Sequence, residues 1–163
     1  MKYIKIDENG IHIVFGITDR NQIKLLHFSK AEFCEEDICK FGPECKAEDL
    51  ARRDQLIDEA FQLVQVNLAG YDRPYEKHGN KHICTVPGYL LTYAGMDDCV
   101  NEMGRKITVY QEDKAVTHVR LETEMQFYKG TSVVRMKNRI INEGEDTQCL
   151  EYLSSFCYTG IEK

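Results

Sequence analysis

Apolar and polar positions alternate with a period near two along much of this chain, the spacing of half-buried β-strands. Residues 2–6 alternate lightly and stop at Glu8-Asn9-Gly10. Asn-Gly predicts a two-residue hairpin turn, because both residues tolerate positive φ. Residues 11–17 predict the return strand, Thr18-Asp19-Arg20-Asn21 a second turn, and residues 23–28 a third strand. These three read as an up-and-down meander.

The last third carries the clearest pattern. Residues 106–111 predict a strand. Within 116–127, Val119, Leu121, Thr123, Met125 and Phe127 fall on one face, and His118, Arg120, Glu122, Glu124 and Gln126 on the other. Lys129-Gly130 turns the chain into a second long strand over 132–142, and Glu143-Gly144-Glu145-Asp146 turns it into a third over 149–158. Three consecutive hairpin-linked strands predict one broad antiparallel sheet. With the meander, they predict two packed sheets in a single mostly-β sandwich domain over residues 1–163.

The middle is less regular. Residues 29–60 are rich in charge, with Gly42-Pro43 at the centre. They predict a short helix or a long loop near 46–60. Residues 61–68 alternate as a strand, and residues 83–86 and 89–93 read as strands flanking a Pro87-Gly88 turn. The polar, aromatic run from Tyr71 to His82 has no periodicity and reads as a surface loop.

Composition narrows the setting. No stretch approaches the roughly 20 apolar residues of a membrane span. The N-terminus lacks the apolar core of a secretory signal, so a cytoplasmic location is expected. A net charge of −6 with dispersed acids argues against nucleic acid and against an anionic membrane surface. It leaves a neutral polar ligand compatible. The cysteines at 34, 39, 45, 84, 99, 149 and 157 form no Cys-x-x-Cys pair, and in a reducing compartment they are thiols.

Few constellations suggest chemistry. Glu122 and Glu124 share a strand face with Arg120 and Gln126, which reads as a solvated face rather than a glycosidase acid pair. His78 and His82 stand four apart, but Gly79-Asn80 between them breaks a helix and no third ligand is evident. Gly-x-Ser-x-Gly and phosphate-binding glycine loops are absent, so no metal or cofactor is expected. The loop is richer. Its tyrosines, Tyr71 and Tyr75, supply rings for stacking on sugar faces, while Asp72, Arg73, His78 and His82 supply groups for hydroxyls.

The order of segments resembles the N-terminal β-sandwich domain of family 36 glycoside hydrolases, the bacterial α-galactosidases or melibiases. The residues that carry the likeness begin with His78-Gly79-x-Lys81-His82, Pro87-Gly88 and Leu91-x-Tyr93, then Asn101-Glu102-x-Gly104-Arg105-Lys106. Phe127-Tyr128-x-Gly130, the strand 133–135, Asn142-Glu143-Gly144-Glu145, Leu150-Glu151-Tyr152 and Ser154-Ser155-Phe156 follow in order. The resemblance covers roughly residues 61–163; the first 60 match only in being strand-rich. It implies a supersandwich fold like that of galactose mutarotases, with the catalytic aspartates in a (β/α)8 barrel that would follow this domain. No catalytic residue is therefore expected here, and the chain is expected to be an N-terminal fragment of a longer enzyme. The implied partners are that barrel, an α-galactoside in the full enzyme, and a second copy in a homo-oligomer. Two other readings stay open: a freestanding carbohydrate-binding module, and a mutarotase- or epimerase-like enzyme.

Overall fold

The computed structural model of the chain describes residues 1–36, 38, 61–71 and 85–158. Among these the fold is mostly β, with antiparallel sheets and one short helix. The region near 46–60, where a helix or long loop is expected, lies outside the described residues. The chain divides into two compact units, residues 1–63 with 157–163, and residues 64–156.

The first unit holds the meander. Strands β1 (Lys2–Glu8), β2 (Ile11–Ile17) and β3 (Ile23–Ser29) pair in that order, all antiparallel. Asn9 and Gly10 have φ of 51° and 74°, and Glu8 pairs with Ile11 across the two-residue loop. This is the primed turn whose twist matches the flanking strands. The second turn is closed by the Thr18 N–H donating to Gln22 O at 2.9 Å, while Gln22 N–H donates to the Thr18 hydroxyl at 3.2 Å. Ile13, Val14 and Phe15 on β2 are all buried. That continuous apolar run marks a strand covered on both faces. Leu26, Ile38 and Phe61 form a buried cluster, with Tyr3 and Phe33 packed against it.

Residues 61–68 differ from the single strand expected of them. Gln62 makes an isolated bridge to Lys24, and Leu25 N–H donates to Phe61 O. The strand β4 is only Val66–Leu68, and it pairs with β9 (Leu150–Leu153). An alternating run can serve two sheets in turn, and its sequence does not mark the break.

The second unit holds β4, β9 and a four-stranded sheet in the order β5 (Thr92–Val100), β6 (Arg105–Asp113), β7 (Val119–Phe127), β8 (Val134–Asn142). The alternation seen in the sequence is the alternation of burial. Val119, Leu121, Thr123, Met125 and Phe127 are buried, while Arg120, Glu122 and Glu124 are half-exposed. Gln126 departs from that pattern and is buried. Its Nε2 donates to Phe127 O at 2.8 Å and Arg105 O at 3.2 Å, and its Oε1 accepts from Asn101 at 2.7 Å.

Two expectations for this unit need correction. The third strand of the expected hairpin series is four residues long, and it leaves the broad sheet to pair with β4. The carbonyls of Ser154 and Ser155 instead accept from the Asn138 side chain on β8. Pro87-Gly88 is not a turn between strands. It lies inside the helix α1 (Val86–Leu90). Proline is tolerated in a first helical turn, and the Thr85 hydroxyl caps the helix by accepting from Gly88 N–H at 3.2 Å.

Candidate functional site

Of the loop residues proposed to meet a sugar, only Tyr71 falls among the described residues; Asp72, Arg73, Tyr75, His78 and His82 lie outside them. Tyr71 is half-buried just beyond β4, and its hydroxyl points to the carbonyl of Val116 at 3.5 Å. The other end of the segment is anchored as well. The Thr85 hydroxyl donates to Val66 O, and α1 begins immediately after it. The chain leaves β4 after Leu68, and Thr85 meets β4 again through Val66. Tyr71 is thus held against the β6–β7 connection and Thr85 against β4.

The surface that Tyr71 touches is itself built firmly. It is the β6–β7 connection, held by the carboxylate of Asp113. Oδ1 of Asp113 accepts from Ala115 N–H at 3.0 Å and Val116 N–H at 3.3 Å, and Oδ2 accepts from Thr117 N–H and hydroxyl at 2.8 and 2.7 Å. Burial pushes the Asp113 carboxyl up, but the hydrogen bonds from Thr117, Ala115 and Val116 outweigh it and leave the group below the ordinary carboxylate range. Aspartate is the residue that closes such a turn with its own side chain. His118 then turns the chain with φ of 52°, and its carbonyl accepts from Glu143 N–H at 2.8 Å.

The carboxylates on the outer face of the sheet are engaged with cations. Glu122 lies 3.5 Å from Arg120 and 3.6 Å from Arg139, and Glu124 lies 3.7 Å from Lys106. Register explains both cross-strand pairs: Glu122 lies directly opposite Arg139 on β8, and Lys106 on β6 lies opposite Gln126, one diagonal step from Glu124. Tyr110 sits in the same face. It donates to Asp97 at 2.7 Å and lies under the Arg120 guanidinium, 4.8 Å from the ring centre. The bond to the Asp97 carboxylate holds the phenol above its ordinary pKa. These are the cross-strand partners of a solvated sheet face, as the sequence suggested for Glu122 and Glu124. Among the described residues no cluster of three or more His, Cys, Asp or Glu is arranged to hold a metal. Cys34, Cys99 and Cys149 are exposed thiols, and Cys157 is half-buried.

The fold gives several residues of the motif series a structural role. Asn101 Oδ1 accepts from Met103 N–H and Gly104 N–H, both at 3.0 Å, and so shapes the β5–β6 turn. A Cβ on Gly104 would lie 2.5 Å from Phe127 O, so only glycine fits. Arg105 forks onto Asp98 with contacts of 3.0 and 2.7 Å. Asn142 closes the turn after β8, accepting from Gly144 N–H and donating to Asp146 O. Sequence reasoning gave no role to Asp113, whose signal is an Asp four residues before Thr117 at a strand end.

No protein family, curated protein or solved structure matches the chain. No described helix is long and apolar enough to cross a membrane.

Proposed function

We propose that this chain is a non-catalytic β domain of an α-galactosidase-like glycoside hydrolase. In this reading it packs on the catalytic barrel and presents the loop 71–82 at the edge of the sugar pocket. The ordered motif series supports the family, and the antiparallel sheets suit the implied fold. The observation that carries the reading is the pair of anchors that flank residues 72–84, Tyr71 on the turn braced by Asp113 and Thr85 on β4. A braced root suits a loop whose aromatic and polar side chains must meet a ligand in fixed positions. The pairing of Glu122 and Glu124 with cations favours a domain without an acid/base pair of its own.

The test is an assay of an aryl α-galactoside with the chain alone and with the full-length protein. The chain alone should release no product. In the full-length protein, Tyr71→Ala should raise KM more than it lowers kcat, since it removes a binding contact and no reacting group. Turnover by the chain alone would sink the non-catalytic reading, and interconversion of sugar anomers would favour a mutarotase-like enzyme.

A further inference from the structure

Three oxygens on the inner face of the four-stranded sheet are buried without a protein partner: Gln111 Oε1 on β6, Thr123 Oγ1 on β7 and Asn138 Oδ1 on β8. Register brings them together. Thr123 pairs directly with Asn138, which places their Cβ atoms about 5 Å apart. Gln111 pairs with Leu121, one diagonal step from Thr123 and within reach of a long side chain. Thr123 is fully buried and Gln111 is 6% exposed, among Val109, Leu121 and Met125. The Asn138 amide has a fixed sense, because its nitrogen donates to the carbonyls of Ser154 at 2.6 Å and Ser155 at 3.1 Å. Its oxygen is thereby committed as an acceptor.

The chemistry of the set selects its guest. Two carboxamide oxygens only accept, and the threonine hydroxyl both donates and accepts. An anion would meet two acceptors. A cation would need a carboxylate, and the acids of this face are engaged, Asp98 by Arg105 and Asp113 by its own turn. A molecule with two donor hydrogens and one acceptor site fits.

We propose that Gln111, Thr123 and Asn138 form a buried site for one ordered water molecule. The water donates to Gln111 Oε1 and Asn138 Oδ1 and accepts from the Thr123 hydroxyl. Three hydrogen bonds are the usual coordination of an internal water. The site links β6, β7 and β8 in mid-sheet, where side chains alone leave polar atoms unmatched.

The test pairs a crystal structure of the chain, at a resolution that shows ordered water, with denaturant unfolding of Thr123→Val. The expected structure shows density within hydrogen-bond distance of Thr123 Oγ1 and Asn138 Oδ1. The valine variant is then expected to unfold at a lower midpoint, because it takes one bond from the water. A site with no density would overturn the proposal. So would a midpoint that is unchanged or raised, since exchanging an unpartnered hydroxyl for a methyl costs nothing.

Discussion

Asp113 ends β6 and holds Thr117 twice, accepting from its backbone N–H at 2.8 Å and from its hydroxyl at 2.7 Å. The same carboxylate accepts from Ala115 and Val116, so one side chain satisfies three successive backbone donors of the connection. Hydrogen bonds to a charged acceptor are the stronger kind, and leaving their donors unmatched is costly. Asp113→Ala should therefore destabilise the chain by about 2–4 kcal/mol, measured by urea unfolding. Thr117→Val should cost less, since it removes only the hydroxyl bond.

The same contact sets a pH dependence. The folded Asp113 carboxyl lies below its ordinary value, which in an unfolded chain is about 3.9. The folded state binds the proton less readily than the unfolded state. The contribution is thus fully present above the unfolded pKa and is lost as pH falls through the folded pKa. Unfolding midpoints measured from pH 7 down to about pH 2 should fall more steeply in the native chain than in Asp113→Asn.

The alternation along β7 gives a paired prediction. Leu121 is buried, 1% exposed, and Glu124 on the other face is half-exposed. Leu121→Ala should cost about 2–5 kcal/mol through lost burial and the cavity left behind. Glu124→Ala should change stability by no more than about 0.5 kcal/mol, since its pair with Lys106 is solvated. Equal effects of the two, read by denaturant midpoint, would contradict the assigned faces.

Where sequence and structure agree, the local code and the tertiary demand coincide. Asn9-Gly10 supplies the positive φ that its hairpin needs, and β7 has one wet face and one dry one, so its period shows. Where they part, a tertiary partner decides. β5 escaped because an edge strand exposes Asp97, Asp98, Cys99 and Val100 in succession and has no alternation to read. The helix α1 escaped because five residues are too few for a 3.6-residue period, and the Thr85 cap was the only sign. The segment 149–158 alternates throughout, yet only Leu150–Leu153 finds a partner strand. For the site, residue types alone pointed to the loop, while the anchors at Val66 and Val116 are contacts between residues far apart in the chain.

Gly104 tests the β5–β6 turn. Its φ of 148° is one that side-chain-bearing residues rarely adopt, and a Cβ would strike Phe127 O. Gly104→Ala should destabilise the chain by about 1–3 kcal/mol and broaden the NMR signals of Asn101 and Gln126, which share the turn's hydrogen bonds. Wild-type stability and unchanged signals would mean the turn adopts another conformation.

The central claim is that this β domain serves a catalytic barrel, and the most direct measurement is the length of the reading frame that encodes Lys163. The expected result is a frame that runs on for several hundred residues with alternating strand and helix patterns and carboxylates at the strand ends. A frame that stops at or near Lys163 would contradict the claim and leave a freestanding sugar-binding or mutarotase-like protein in its place.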